Sequence, residues 1–202
     1  MDRKMKRKGA ALLICAGVGL SGMLVARAAL WPPPEEEIFP EGLLAAAAAA
    51  HDPMGTPVRL LIPAIGVEAV VSDVGLGKTG NMAVPRSYGE AGWYRYGPQP
   101  GEEGSAVMDG HMDNGFGLPA VFRNLSLLKR GDDMYVTTRA GEVRHFKVES
   151  VERYAVGDVP RERVFDFTGE PRLNLITCTG EWDSKNKSYD ERVVVYAVYM
   201  GT

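Results

Sequence analysis

From Val58 to its end, the sequence predicts a mostly β fold, a closed barrel or a sandwich. Three observations carry that reading. Short runs rich in β-branched and aromatic residues recur along this stretch. Gly, Pro, Asp and Asn punctuate the runs, in a chain holding 24 glycines and 13 prolines. A helical pattern is confined to one short segment, Pro119–Leu128.

The elements follow in order. Arg3, Lys4, Lys6, Arg7 and Lys8 precede an uncharged apolar run from Gly9 to Ala26, about the minimum length for a spanning helix. Basic residues resist translocation, so the expected orientation leaves the amino terminus in the cytoplasm and the rest of the chain outside. A cleaved signal peptide is the rival, because Ala26-Arg27-Ala28 resembles a small-x-small site. The length of the run and the charge on Arg27 favour a retained anchor. A lipoprotein is not indicated, since Ile14 precedes Cys15 where a small residue is expected. Trp31 suits a membrane interface, and Pro32, Pro33 and Pro34 make a stiff spacer before Glu35, Glu36 and Glu37. Leu43–Ala50 is alanine-rich and reads as a short helix. The expected division is 1–27 tail and anchor, 28–56 stalk, and 57–202 exterior domain.

Within the domain the expected strands are Arg59–Ile62, Val67–Val71, Ser105–Met108, Met134–Arg139, Val143–Tyr154, Leu173–Thr177 and Arg192–Met200. Ala140-Gly141 reads as a hairpin turn. Beyond the basic tail, 17 Lys and Arg face 25 Asp and Glu, a net charge near −8. An acidic exterior is a poor binder of nucleic acid.

Two cysteines narrow the chemistry. Cys15 lies in the apolar run and Cys178 in the exterior domain, so Cys178 is a lone thiol in an oxidising compartment. Thr177-Cys178-Thr179-Gly180 closes an apolar strand, which places the sulfur on a rim. Of the three histidines, His51 falls in the stalk, and His145 alternates onto the outer face of a strand. His111 follows a small apolar strand in Asp109-Gly110-His111-Met112-Asp113-Asn114-Gly115, a position suited to acid–base work. Arg192 opens the last apolar strand, on the same kind of rim.

Together these residues resemble the sortase family. His111 matches the histidine ending one barrel strand, and Thr177-Cys178 matches the Thr-Cys ending another, 67 positions after His111. Arg192 matches the arginine five residues before the alanine of the last strand, here Ala197. Arg59–Val67 looks like the family's first strand, and Gly92-Trp93-Tyr94 with Pro100-Gly101 looks like actinobacterial class F or E members. The resemblance covers about Val58 to Thr202. It implies a closed β-barrel of about eight strands with one or two short helices, and a cysteine transpeptidase acting through a thioester.

In that reading Cys178 is the nucleophile, His111 the acid for the leaving amine, and Arg192 a holder of the oxyanion. Thr177, Thr179, Trp182 and Tyr189 become candidate substrate contacts, the last two on a loop expected from Glu181 to Glu191. Val156–Pro171 is a second candidate wall, through Phe165 and Phe167. A free thiol is only about a few per cent thiolate at pH 7, and a neighbouring imidazolium or guanidinium is expected to raise that fraction. The implied partners are secreted proteins with a Leu-Pro-x-Thr-Gly-like sorting signal and a peptidoglycan-type amine acceptor. No cofactor is implied, and no dense acidic cluster resembles the class A calcium site, so no metal is expected.

Two motifs are set aside. Gly75–Gly80 has dinucleotide-like glycine spacing, but no long helix follows before Pro85. Arg130-Gly131-Asp132 reads as a turn into the strand at Met134. Two alternatives stay open, a sortase-like scaffold without catalysis and a cysteine peptidase that only hydrolyses.

Overall fold

The computed structural model describes residues 52–202. The tail, the anchor and all but the last few residues of the stalk lie outside the described residues. Among those described, no helix is long and apolar enough to cross a membrane.

Eight strands form a closed barrel: β1 (Pro57–Ile62), β2 (Val67–Val74), β3 (Ala91–Tyr94), β4 (Ser105–Gly110), β5 (Asp133–Thr138), β6 (Val143–Ala155), β7 (Arg172–Asp183) and β8 (Ser188–Gly201). Their order around the barrel is β1-β2-β3-β4-β7-β8-β6-β5. The pairs β2–β3 and β4–β7 are parallel and the others antiparallel. Closure pairs every strand on both sides and removes the exposed edges that invite aggregation.

Period-two alternation fills the interior. Leu60, Ile62, Ala69, Val71, Ala106, Met108, Met134, Val136, Phe146, Val148, Leu173, Leu175, Val193, Val195 and Ala197 all point inward and form one core. The opposite face is partly covered as well. The connection between β6 and β7 lays a one-turn helix, α1 (Arg161–Phe165), over Val107, Val194 and Tyr196, burying Val164 there. Asn174 fastens it, donating from Nδ2 to the Val164 carbonyl at 2.8 Å.

Two elements differ from the sequence expectation. Pro119–Leu128 yields only a 3-10 turn at Leu125–Leu127, because the segment seals the barrel through Phe122, Leu125 and Leu128 rather than lying along it. Glu181–Glu191 is not a loop. The β7–β8 ribbon continues to a tight turn after Asp183, interrupted by one bulge where Thr179 pairs Glu191 but Trp182 pairs Tyr189. Gly180 supplies the left-handed conformation there (φ 86°). A side chain at that position would strike Asp190 Oδ1 at 2.1 Å, the same oxygen that accepts from the Glu181 N–H at 2.7 Å.

The expected hairpin turn at Ala140-Gly141 joins β5 to β6, with Gly141 at φ 85°. Residues 52–56 pack on the barrel. Gln99 Nε2 donates to the Asp52 carbonyl at 2.7 Å, and the Arg139 N–H donates to Thr56 at 2.8 Å.

Candidate active site

The register of three neighbouring strands builds the site. In the parallel pair β4–β7, Asp109 is opposite Ile176. Continuing that register by two residues sets His111 beside Cys178. The Thr177 hydroxyl fixes it, donating to the Gly110 carbonyl at 2.7 Å. In the antiparallel pair β7–β8, Cys178 is opposite Arg192. Paired residues share a face, so Cys178 and Arg192 lie in one row across β7 and β8, and the extended β4 register brings His111, one residue past the end of β4, into line with it. The next row down is Asp109, Ile176 and Val194, then Val107, Asn174 and Tyr196. These rows face away from the interior core, on the side that α1 partly covers.

Each member is held by local chemistry. His111 follows the end of β4, and its Nε2 lies 2.9 Å from the Pro85 carbonyl. A carbonyl only accepts, so Nε2 carries the proton in that bond and Nδ1 is left for other partners. Tyr88 packs its ring at a steep angle to the imidazole, centroids 4.9 Å apart. The backbone is pinned too, because the Phe122 N–H donates to the His111 carbonyl at 2.9 Å.

Arg192 is fixed through its own ribbon. One terminal nitrogen, Nη1, donates to the Tyr189 and Glu191 carbonyls at 2.9 and 2.8 Å, and Nη2 donates to Ser188 Oγ at 3.0 Å. Three of the five guanidinium N–H groups thereby set its position, and two remain.

Cys178 is a free, half-buried thiol. Burial pushes its pKa up, the Arg192 guanidinium draws it down, and the Asp109 and Asp113 carboxylates push it up further. Burial is the largest of these influences, so the pKa of the Cys178 thiol lies above its ordinary value. The guanidinium acts in the expected direction but is outweighed.

Asp109 and Asp113 lie close enough to act on Cys178, and the sequence reading did not single them out. Both are buried, at 7% and 9% exposure. Asp113 Oδ1 accepts from the Gly115 N–H at 2.9 Å and Oδ2 from the Tyr189 hydroxyl. That bond holds the Tyr189 hydroxyl pKa at about 12, since the phenolate would face a carboxylate. The signal was present in the spacing Asp109-Gly110-His111-Met112-Asp113, which flanks the histidine with a carboxylate two residues away on each side.

The remaining candidates fall in different places. Thr177 is 6% exposed and its hydroxyl is engaged with Gly110. Thr179 is partly exposed, paired with Glu191 at the bulge. Trp182 is 56% exposed and packs edge-on against Tyr189 at 5.3 Å. Phe165 packs against Tyr94 within the α1 cover, and Phe167 lies under the Arg172 guanidinium at 4.7 Å. His145 is on an outer face, as expected, bonded to Asp133 at 2.8 Å. Among the described residues, no three His, Cys, Asp or Glu side chains group as a metal site requires.

A closed eight-stranded barrel with a histidine, a thiol and a guanidinium in one row defines a class of cysteine-bearing barrel proteins. The family model described as the sortase domain matches residues 60–200. The chain belongs to the sortase family, and a transpeptidase-type function follows from that membership. Solved structures share the fold. Sortase C-1 from Actinomyces oris is 21% identical with a TM-score of 0.59, covering 93% of this chain and 99% of that one. A sortase D5 transpeptidase from Clostridium perfringens is 22% identical (TM-score 0.54; 72% and 79% covered). Sortase A from Listeria monocytogenes is 19% identical (TM-score 0.52; 72% and 88% covered). A search among curated proteins found no match.

Proposed function

We propose that this chain is a membrane-anchored cysteine transpeptidase in which Cys178 is the nucleophile, His111 the proton carrier and Arg192 the oxyanion donor. The observation that carries the reading is the single row His111–Cys178–Arg192 across β4, β7 and β8. In the first half-reaction the Cys178 sulfur attacks the scissile carbonyl. A C–S bond forms, the C–N bond breaks, and the amine leaves with a proton from His111. Because Pro85 engages Nε2, that proton moves through Nδ1. The two uncommitted N–H groups of Arg192 receive the charge that develops on the carbonyl oxygen. In the second half-reaction an incoming amine attacks the thioester, forming a C–N bond and releasing Cys178.

The raised thiol pKa fits a nucleophile that stays protonated until His111 takes the thiol proton as the sulfur attacks. The donor is a secreted protein bearing a sorting signal of the Leu-Pro-x-Thr-Gly type, and the acceptor is a peptidoglycan-type amine. Trp182 and Tyr189 on the ribbon, with Thr179, line the donor's path, and Thr177 acts beneath it by holding β7 to β4. The subclass is F- or E-like, resting on Gly92-Trp93-Tyr94 and Pro100-Gly101. The Gly9–Ala26 run anchors the chain and leaves the barrel outside the membrane.

The test is product formation by the purified full chain. A library of Leu-Pro-x-Thr-Gly-type peptides is incubated with a small primary amine, and the ligated amide is measured by mass. Wild type is expected to form it, and Cys178→Ala and His111→Ala to form none while keeping the wild-type melting curve. Ligation that persists in Cys178→Ala overturns the assignment.

A further inference from the structure

A cavity of about 310 Å³ lies over β2 and β3, lined by Ser72, Asp73, Pro85, Arg86, Glu90 and Arg95 among others. Its size is at the lower end of small-ligand sites. The strand register sets its position relative to the catalytic row. Ser72 is opposite Gly92, and Gly92 is opposite Asp109, so the cavity floor continues the row Asp109–Ile176–Val194. Ala91 is opposite Gly110, so Glu90 comes level with His111, on the side away from Cys178. Pro85, whose carbonyl accepts the hydrogen bond from His111 Nε2, is part of the cavity wall. Across the face the order is thus Arg192, Cys178, His111, cavity. Gly92 lets the neighbouring side chains close over the sheet here, for a Cβ there would meet Asp109 Oδ1 at 2.6 Å, Val74 Cγ1 at 2.9 Å and Pro85 Cδ at 3.1 Å.

The lining chemistry is specific. Asp73 and Arg95 satisfy one another at 3.2 Å. Two opposite charges are left over. Among the described residues, neither the Glu90 carboxylate nor the Arg86 guanidinium has a hydrogen-bond or ion-pair partner. The Ser72 hydroxyl is buried and also without a partner. One anion, one cation and one neutral hydrogen-bonding group around a small polar cavity complement a group that carries an ammonium and a carboxylate close together.

We propose that this cavity is the acceptor subsite, and that the acceptor is an amine with a carboxylate on the neighbouring carbon, the head of an α-amino acid. The proposal rests on Cys178 forming the thioester described above. Glu90 holds the ammonium and Arg86 the carboxylate. The ammonium first gives up one proton to solvent, and the neutral amine nitrogen then attacks the thioester carbonyl from the His111 side. The N–C bond forms, the C–S bond breaks, Cys178 leaves as thiolate, and the proton shed by nitrogen passes to His111.

The experiment compares glycine with glycinamide as acceptors, using the library peptide that acylates Cys178 fastest. The two amines differ in intrinsic reactivity, so the readout is the change in their kcat/KM ratio between wild type and variant. Arg86→Gln is expected to lower the glycine-to-glycinamide ratio about tenfold, the worth of one charge-assisted hydrogen bond. Glu90→Gln is expected to raise KM for both amines and leave the ratio unchanged. A wild-type ratio in Arg86→Gln, with Cys178 still acylated, overturns the subsite and spares the catalytic assignment. A chain that never acylates at Cys178 overturns both.

Discussion

Gly110→Ala tests how tightly the barrel holds His111. Gly110 ends β4, immediately before the histidine, and a Cβ built there lies 2.6 Å from Phe122 Cδ2 and 2.7 Å from Val121 Cγ1. Carbon atoms rest about 3.5–4.0 Å apart, so about 1 Å must be found by moving the ring or the end of the strand. Phe122 is fully buried in the core and has nowhere to go, and the Gly110 carbonyl is held by Thr177. Overpacking of this kind costs about 1–3 kcal/mol, which lowers the melting temperature by about 3–10 °C for a chain of this size. Movement of the strand end carries His111 with it, and a displacement of about 1 Å in a catalytic group lowers the rate about 100-fold. Thermal unfolding by circular dichroism and the rate of Cys178 acylation report the two effects. Gly157→Ala is the control, since nothing lies within 4 Å of its Cβ, and it is expected to melt as wild type does. If Gly110→Ala also melts and acylates like wild type, the close packing ascribed to this strand end is wrong.

Three further outcomes are expected. Alkylation of Cys178 by iodoacetamide should rise along a pH curve displaced above that of an ordinary thiol. Arg192→Gln should move it further up and Asp113→Asn down, and an unshifted curve in both variants would remove these charges from the thiol's surroundings. Glu152, paired with Arg163 at 2.8 Å, has its pKa lowered to about 2 by Arg163 first and then Tyr154. A depressed carboxylate pKa stabilises the fold above pH 4.5, and that contribution is lost as the pH falls toward 2. The group is about a third exposed, so the loss in Glu152→Gln at pH 7 is discounted to about 1 kcal/mol, with a flatter acid limb in urea titrations as the check. Arg192→Lys should lower turnover sharply, because an ammonium cannot span Tyr189, Glu191 and Ser188 while still facing an oxyanion. Near-normal turnover there would take Arg192 out of the mechanism.

Much of the barrel was legible in the sequence because alternating burial writes itself into a strand. Met134-Tyr135-Val136 and Phe146-Lys147-Val148 each place every second residue in the core. β3 was missed as a strand because it has four residues and Gly92 interrupts its pattern. The helix α1 was missed because it is a single turn behind Pro160, too short for periodicity to register. The ribbon beyond Cys178 read as a loop because Gly180 looks like a strand end, whereas it is the left-handed residue of a bulge that lets the strand continue. The three candidate residues could be singled out because so few thiols and histidines were available. The groups that tune them were not. The Pro85 carbonyl, Tyr88 and the Asp113–Tyr189 bond reach the site across 26, 23 and 76 residues of chain, and only the folded register brings them there.

The most direct measurement is the mass of the full chain after brief mixing with the sorting-type peptide library, followed by proteolysis and mapping of the adduct. An acyl group on the Cys178 sulfur, labile to hydroxylamine and lost in His111→Ala, is the predicted result. An adduct on another side chain, or an unmodified Cys178 while peptide is turned over, would contradict the account.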